Sequence, residues 1–272
     1  VDSAAVRLHS SAASAGDLYI NASTDLAVGG NLNITATTGN ITQGAAVTVT
    51  GTSSFTTLAT DADITLSSAN ALGGAVTLTT AGSGGNATLN NGTTALDIAA
   101  STVRGNLTLT SGHATGITDS GTITVGGNLI ATNDVSNGDI NMGTLAVDGT
   151  IALVTTGTGG DVTLVNDAGL NFATSSIGGD LTATATSGNI SDTGAVTVTG
   201  ATDITLGITP ILTVTGVTSV TDLDGNTVTL DISTFTGGIT INYYGVEVID
   251  DNSDIDLARQ VTFAELDFGI DQ

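Results

Sequence analysis

The chain has 272 residues with 37 Gly, one Pro, no Cys and no Trp, and its 26 acidic residues face three basic ones, Arg7, Arg104 and Arg259. A net charge of −23 argues against nucleic acid and anionic membrane as partners, since both need Lys and Arg to displace counterions. Without Cys there are no disulfides and no thiol chemistry.

Aromatic residues are only 3% and charged residues 11% of a chain that is 40% hydrophobic. The apolar content is therefore Val, Ile, Leu and Ala, which suits thin, regular layers of stacked strands. Abundant β-branched residues keep the chain out of the disordered class. No run of 18 apolar residues is present, so no membrane insertion is expected. The opening Val1-Asp2-Ser3, with neither Met nor a signal sequence, is expected of a processed product or an excised segment.

Along the chain, strings of alternating apolar residue and Thr recur: VTVTG at 47–51, ITLSS at 64–68, VTLTT at 76–80, LTLTS at 107–111, ITVGG at 123–127, VTVTG at 196–200 and LTVTG at 212–216. Period-two alternation predicts strands with aliphatics inward and Thr outward. Val47, Val49, Val76, Leu78, Leu107, Leu109, Val196 and Val198 are the inward set, and Thr48, Thr77, Thr108 and Thr197 the outward set. Gly, Asn, Asp and Ser between the strings supply turns.

A longer period lies above this one. GGNLNITATTGNITQGAAVTVTG begins at Gly29, GNLTLTSGHATGITDSGTITVGG at Gly105 and GGDLTATATSGNISDTGAVTVTG at Gly178. Gly30, Gly105 and Gly179 align, and a second block repeats from Gly74 to Gly149. The unit is about 75 residues, starting near 30, 105 and 179, and equal units are expected to place these three glycines at equivalent corners. Leu107, Leu129 and Ile151 mark a shorter step of one coil, about 20–22 residues. A coil that short cannot bury its apolar face alone, so it must stack on its neighbours. Residues 1–216 are expected to form an all-β, parallel β-solenoid, with about nine or ten coils over 18–216 and a length of about 45 Å at about 4.8 Å per coil. Helices are not expected.

The GGNLNITATTGNIT, GNLTLTSG and GGDLTATATSGNIS strings resemble the repeat region of filamentous-haemagglutinin-type adhesins, the exoproteins of bacterial two-partner secretion, over about residues 16–216. The resemblance implies a right-handed β-helix, export to the bacterial cell surface, and a role as adhesin shaft or fibre. Neither that family's secretion domain nor a receptor-binding module is visible in the sequence.

After Pro210 the repeat fades, and residues 217–272 read as an atypical segment, either a cap or a joint to another subunit. Tyr243, Tyr244, Phe263 and Phe268 concentrate there and are candidates for such an interface. Partners are therefore a further copy of the chain end to end, or its continuation in a longer chain, at a cell surface or matrix.

Two oxygen-rich clusters are candidate calcium ligands: Asp222, Asp224 and Asn226 in a DLDGN loop, and Asp250, Asp251, Asp254 and Asp256. A solvated acidic turn is the plainer reading of each, so no cofactor is required, and Ca²⁺ is the metal of the alternative reading. Catalysis has little to stand on. His9 and His113 are far apart, no Lys or Cys is present, and the pair Asp61/Asp63 reads as turn residues rather than a glycosidase dyad. No enzyme is expected.

Thr-rich strands also invite an ice- or glycan-binding reading, but Thr is simply a favoured exposed strand residue, and the pattern lapses at 129–134 and 140–143. Sequons at Asn21, Asn33, Asn40, Asn86, Asn91, Asn106 and Asn189 arise readily where turn Asn precedes a Thr-rich strand. The expected function is thus structural and extracellular, with a calcium-dependent S-layer or matrix protein as the alternative.

Overall fold

A computed structural model describes residues 5–10, 17–20, 26–206, 213–214, 219–221, 227–229, 239–243 and 246–250, with side chains at 17–20 and 26–205. These residues contain strands and turns and no helix. Strands of successive coils pair in parallel and build two large sheets and a small one.

The first sheet runs Ala5–Ser10, Asn31–Ala36, Ser53–Thr60, Val76–Ala81, Leu96–Ile98, Ile117–Asp119, Ile140–Val147, Val162–Asn166, Leu181–Ala185 and Thr202–Leu206. The second runs Leu18–Ile20, Ile41–Gln43, Ile64–Leu66, Ala87–Asn90, Leu107–Ser111, Leu129–Ser136, Ile151–Thr156, Leu170–Phe172 and Ile190–Asp192. A small third sheet holds Leu26–Val28, Val47–Val49 and Ala71–Leu72. Coil length is not constant: the step from Val162 to its register partner Leu181 is shorter than the step from Ser53 to Val76. Between Asn31–Ala36 and Thr202–Leu206 the first sheet makes eight such steps, a rod of about 40 Å at the usual strand spacing.

The alternation read from the sequence holds throughout. Val47, Val49, Val76, Leu78, Leu107, Leu109, Val196 and Val198 are all buried, while Thr48 and Thr197 are exposed and Thr77 and Thr108 half-buried. Leu107 stacks on Leu129 and Leu129 on Ile151, the one-coil step. The core is a stack of aliphatic layers with Phe55 and Phe172 as its bulkiest members.

The long repeat has a different geometry from the one expected. Gly30 leads into Asn31–Ala36, whose column continues through Ser53–Thr60, Val76–Ala81 and Ser101–Val103 to Ile123–Val125. Gly105 leads into Leu107–Ser111, on the second sheet. Gly179 leads into Leu181–Ala185, whose column runs back through Val162–Asn166 and Ile140–Val147 to Ile117–Asp119. Leu107–Ser111, Ile117–Asp119 and Ile123–Val125 are separate strands of one coil, so the three glycines do not share one corner. Each unit starts one strand column further round the coil than the last. The cause is a mismatch of lengths. The solenoid cross-section holds each coil to about 20–22 residues, and the long unit is not a whole number of those. The strand columns are alike enough to accept the same sequence.

What sets the register is visible at the corners. From Leu18–Ile20 to Ile151–Thr156, the residue before each strand of the second sheet is Asp17, Asn40, Asp63, Asn86, Asn106, Asn128 or Thr150. Each Asx side-chain Oδ1 accepts the backbone N–H of the next member: Asp17 from Asn40 at 2.9 Å, Asn40 from Asp63 at 2.7 Å, and Asp63 from Asn86 at 2.8 Å. Asn86 accepts from Asn106, Asn106 from Asn128 and Asn128 from Thr150, each at 2.8 Å. The backbone carbonyl of each later member in turn accepts from the strand residue beside the earlier one, as Asn106 does from Ala87 at 2.9 Å. Adjacent coils are thus clamped at two points where the chain turns, once by the corner side chain and once by its backbone carbonyl.

Two corners leading into the first sheet repeat the device. Asp139 accepts from Asp161 at 3.0 Å, Asp161 from Asp180 at 2.9 Å, and Asp180 from Ala201 at 2.7 Å. Asn31 likewise accepts from Thr52 at 2.9 Å. The glycine just before the Asx residue permits the close stacking. A Cβ on Gly127 would lie 2.8 Å from the carbonyl carbon of Gly105, closer than a real Cβ tolerates.

Beyond Leu206 the pairing changes character. Thr213–Val214, Ser219–Thr221 and Thr227–Thr229 pair antiparallel with one another, and Thr227–Thr229 also joins Ile190–Asp192 in parallel. Ile239–Tyr243 extends the first sheet in parallel and then pairs antiparallel with Val246–Asp250. Antiparallel partners are confined to this end of the described residues.

Aliphatic layers and corner clamps should differ in weight. Leu109→Ala, at a position with no exposure, should lower unfolding stability by about 2–5 kcal/mol. Asn106→Ala, at an exposed corner where water can replace the lost acceptor, should lower it by about 1 kcal/mol. Urea denaturation of both variants checks the order, and a corner variant as costly as the core variant would contradict it.

Candidate functional site

The described residues offer three kinds of candidate: buried polar groups, outward columns, and the residues singled out by sequence. The buried polar groups form a repeated internal system. Asn91 is fully buried, accepts from the Leu72 N–H at 2.8 Å, and donates to the carbonyls of Leu72, Thr94 and Ala95 at 2.9–3.2 Å. Asn166, one unit later, accepts from the Val147 N–H at 2.9 Å and donates to the carbonyls of Val147 and Gly169. Each closes a backbone turn from inside the rod.

Thr80 donates to the Gly85 carbonyl at 2.8 Å and accepts from the Arg104 N–H, and Thr155 does the same with Gly160 and Gly178. Ser101 and Ser175 each accept from a core leucine N–H, Leu78 and Leu153, and donate two residues back. At the outer turn, Asp61 and Asn137 both adopt positive φ, 58° and 61°, and Gly82 and Gly157 follow at 84° and 80°. All these pairs are one unit apart, yet members of each pair serve different strand columns of the rod. The long repeat is therefore kept within this chain as interior hydrogen bonding.

These groups are structural, and they correct one reading of the sequence. Asn91 heads a sequon, but its side-chain nitrogen is enclosed and donates to three carbonyls, leaving no room for a sugar in the folded chain. The signal for its true role was present: Asn91 and Asn166 fall at the same place in the block that repeats from Gly74 to Gly149.

Outward Thr residues form columns that stop partway along the rod. On the first sheet Thr35, Thr56, Thr79, Thr102 and Thr124 stack in register and end at Ala146. On the second, Thr42, Thr65, Thr88 and Thr108 stack and end at Ile130. A feature written into the long unit moves to another strand column at the next unit, so none carries one Thr column throughout.

Among the described residues no group of three or more His, Cys, Asp or Glu could hold a metal ion. The candidate calcium ligands Asp222, Asp224, Asn226, Asp251, Asp254 and Asp256 lie outside the described residues, as do Tyr244, Phe263 and Phe268. Asp250 and Tyr243 are placed by their backbones alone, opposite Ile239 and Val246 in the antiparallel pair. Asp61 accepts from the backbone N–H groups of Ser83 and Gly84, and Asp63 from that of Asn86, so both act as turn acceptors. The Nδ1 of His113 accepts from Thr115 N–H within its own turn.

Among the described residues, four buried polar atoms have no partner: Ser53 Oγ, Asp97 Oδ1, Asn171 Oδ1 and Thr202 Oγ1. Ser53 and Thr202 each open a strand at inward positions, and the corresponding opening residue one unit on from Ser53 is Leu129. Opposite stability effects are expected at two buried polar sites. Asn91→Ala strands several backbone groups and should destabilise by about 2–4 kcal/mol, whereas Ser53→Ala removes an unpaired hydroxyl and should stabilise by about 1 kcal/mol. Denaturant midpoints of the two variants moving in the same direction would refute this accounting.

Comparison with known proteins agrees with the internal period. A family model described as repeats of unknown function (DUF5649) matches residues 11–79, 84–136 and 159–212, more than half of the chain, and its second and third matches begin one long unit apart. No curated protein matches the chain, and no solved structure matches it. The chain belongs to the DUF5649 repeat family.

Proposed function

We propose that this chain is the shaft, or a subunit, of a bacterial surface adhesin or extracellular fibre, and that its function is mechanical and spacing rather than catalytic. The observation that carries the reading is where the repeat is kept. Positions a unit apart agree in their interior hydrogen bonds, as Asn91 and Asn166 or Thr80 and Thr155 do, while the outward columns are interrupted. Repetition that maintains the interior and alternates the exterior suits a rod whose length matters. A lattice-binding face for ice or a regular glycan needs the same outward column in every coil, which the shift of each unit to another strand column prevents.

The lopsided charge supports the same reading. Acidic residues on the corners, with no Lys in the chain, keep neighbouring rods apart and soluble, and leave the ends as the natural places for attachment. The filamentous-haemagglutinin-like strings point to the cell surface as the location.

Surface labelling of intact cells of the source organism tests the proposal, together with electron microscopy of the released material. Label on unpermeabilised cells and thin rods or fibres are expected. Label that appears only after permeabilisation, or compact single particles bound to a soluble partner, would remove the proposal. A calcium titration addresses the alternative. Under the shaft reading the melting temperature changes by no more than a few degrees up to millimolar calcium, and a large rise would favour the S-layer or matrix reading.

A further inference from the structure

We propose that copies of this chain join end to end by strand addition, with Ala5–Ser10 of one copy pairing antiparallel with Val246–Asp250 of the next. This deepens the fibre reading above and rests on it, naming a second copy as the partner and two strands as the joint.

The ends of the rod are level. Among the described residues, Ala5–Ser10 and Val246–Asp250 are the opposite edges of the first sheet, and Leu18–Ile20 and Thr213–Val214 those of the second. The path from one edge to the other passes through twelve strands in each of these sheets. Both sheets therefore start together and stop together, and the last rung of one rod offers a flush seat to the first rung of another.

Strand direction suits the joint. Ile239–Tyr243 runs parallel to Thr202–Leu206, and Val246–Asp250 runs against it. A second copy stacked head to tail brings its Ala5–Ser10 in the common direction of the sheet, and so antiparallel to Val246–Asp250. Antiparallel pairing is slightly the more stable per residue. Edge strands with unpaired backbone groups are templates for such addition.

Charge chooses between like and unlike ends. Ala5–Ser10 contains Arg7 and His9, one of three Arg and one of two His in a chain of net charge −23. Val246–Asp250 contains Glu247 and Asp250. Pairing two like edges sets like charges together, whereas unlike edges bring opposite charges together. With Arg7 opposite Glu247, Val6 falls opposite Val248 and Leu8 opposite Val246. Val6 and Leu8 hold the register positions of the buried Leu32 and Ile34. Val248 holds that of the buried Ile204, through Ile241. One register thus satisfies charge and inward alternation at once. The contact is head to tail along the rod axis, so it does not close on itself and yields a filament.

The chain has no native Cys, so single cysteines report the joint directly. Ala5 falls opposite Ile249 in this register. Opposed residues of an antiparallel pair have Cα atoms about 4.5–5.5 Å apart, a span that a disulfide bridges. Purified Ala5→Cys and Ile249→Cys chains, mixed under mild oxidation, should give a covalent heterodimer, with each chain alone at background. No cross-link at the highest soluble concentration, or homodimers as abundant as the heterodimer, would overturn the proposal.

Charge exchange gives a second reading. Arg7→Glu alone, or Glu247→Arg alone, should raise the concentration needed for association by about tenfold, measured by sedimentation. Both substitutions in one chain should restore it, and an exchange that restores nothing counts against the joint. Protection of the Ala5–Ser10 amides from hydrogen exchange in a monomeric chain would show that the chain covers this edge itself, which also overturns the proposal. Pairing of purified chains without label on intact cells would remove the surface reading, whereas surface label without pairing removes this inference alone.

Discussion

The two-point clamp at the corner is the interaction on which the remainder of the rod depends. Within a flat sheet, backbone N–H and C=O groups meet their partners one coil away with no help from side chains. At a corner the chain turns, and a backbone N–H there would be left unpaired without a side-chain acceptor. An Asn or Asp there lends its side-chain carbonyl to the next coil, while its own backbone carbonyl serves the coil before, as Asn106 does with Asn128 and Ala87. A slip of one residue would break both bonds and turn the strand's aliphatic set toward water. Register is therefore fixed by a polar contact and enforced by an apolar one.

Because that clamp works the same way at different corners, the solenoid accepts a repeat that is not a whole number of coils. Leu107–Ser111 carries the sequence logic of Asn31–Ala36 but occupies the other sheet. The interior is indifferent to this, since each face needs alternating aliphatics, a buried hydroxyl at one turn and an Asx residue at the corner. The exterior is not indifferent, and its Thr columns break at Ala146 and Ile130. Chemistry that needs a long, one-sided array is at odds with such a repeat, whereas a mechanical rod with similar sides is compatible with it.

Charge follows the same geometry. Asp139, Asp161 and Asp180 stack at one corner, half-buried or exposed, and each gives an oxygen to a backbone N–H. Charge-assisted bonds of this kind offset part of the repulsion between like charges one coil apart, and water screens more of it. The corner leading into the second sheet mixes Asn with Asp and carries less charge for the same hydrogen bonding. Acid in this chain is thus largely a by-product of turn and corner chemistry, with solubility as its benefit.

The amino-acid sequence by itself determined the local rules. Period-two alternation put Leu107 and Leu109 inside and Thr108 outside, because a strand's side chains can point only two ways. It also determined the coil step, because Leu107, Leu129 and Ile151 recur at the distance needed to stack, and it displayed two independent blocks that share one long period. The sequence was silent on three-dimensional phase. The expectation that Gly30, Gly105 and Gly179 share a corner treated equal sequence as equal position, and only the tertiary structure decided how many turns the chain makes between them. Asn91 shows the same limit, since a sequon and a buried turn-closing amide are written with the same letters. Its role was settled by enclosure, when the Leu72 N–H from the neighbouring coil and the carbonyls of Leu72, Thr94 and Ala95 closed around it. Local geometry is a property of neighbours along the chain, whereas phase and enclosure are properties of the stack, and those arise only when coils meet.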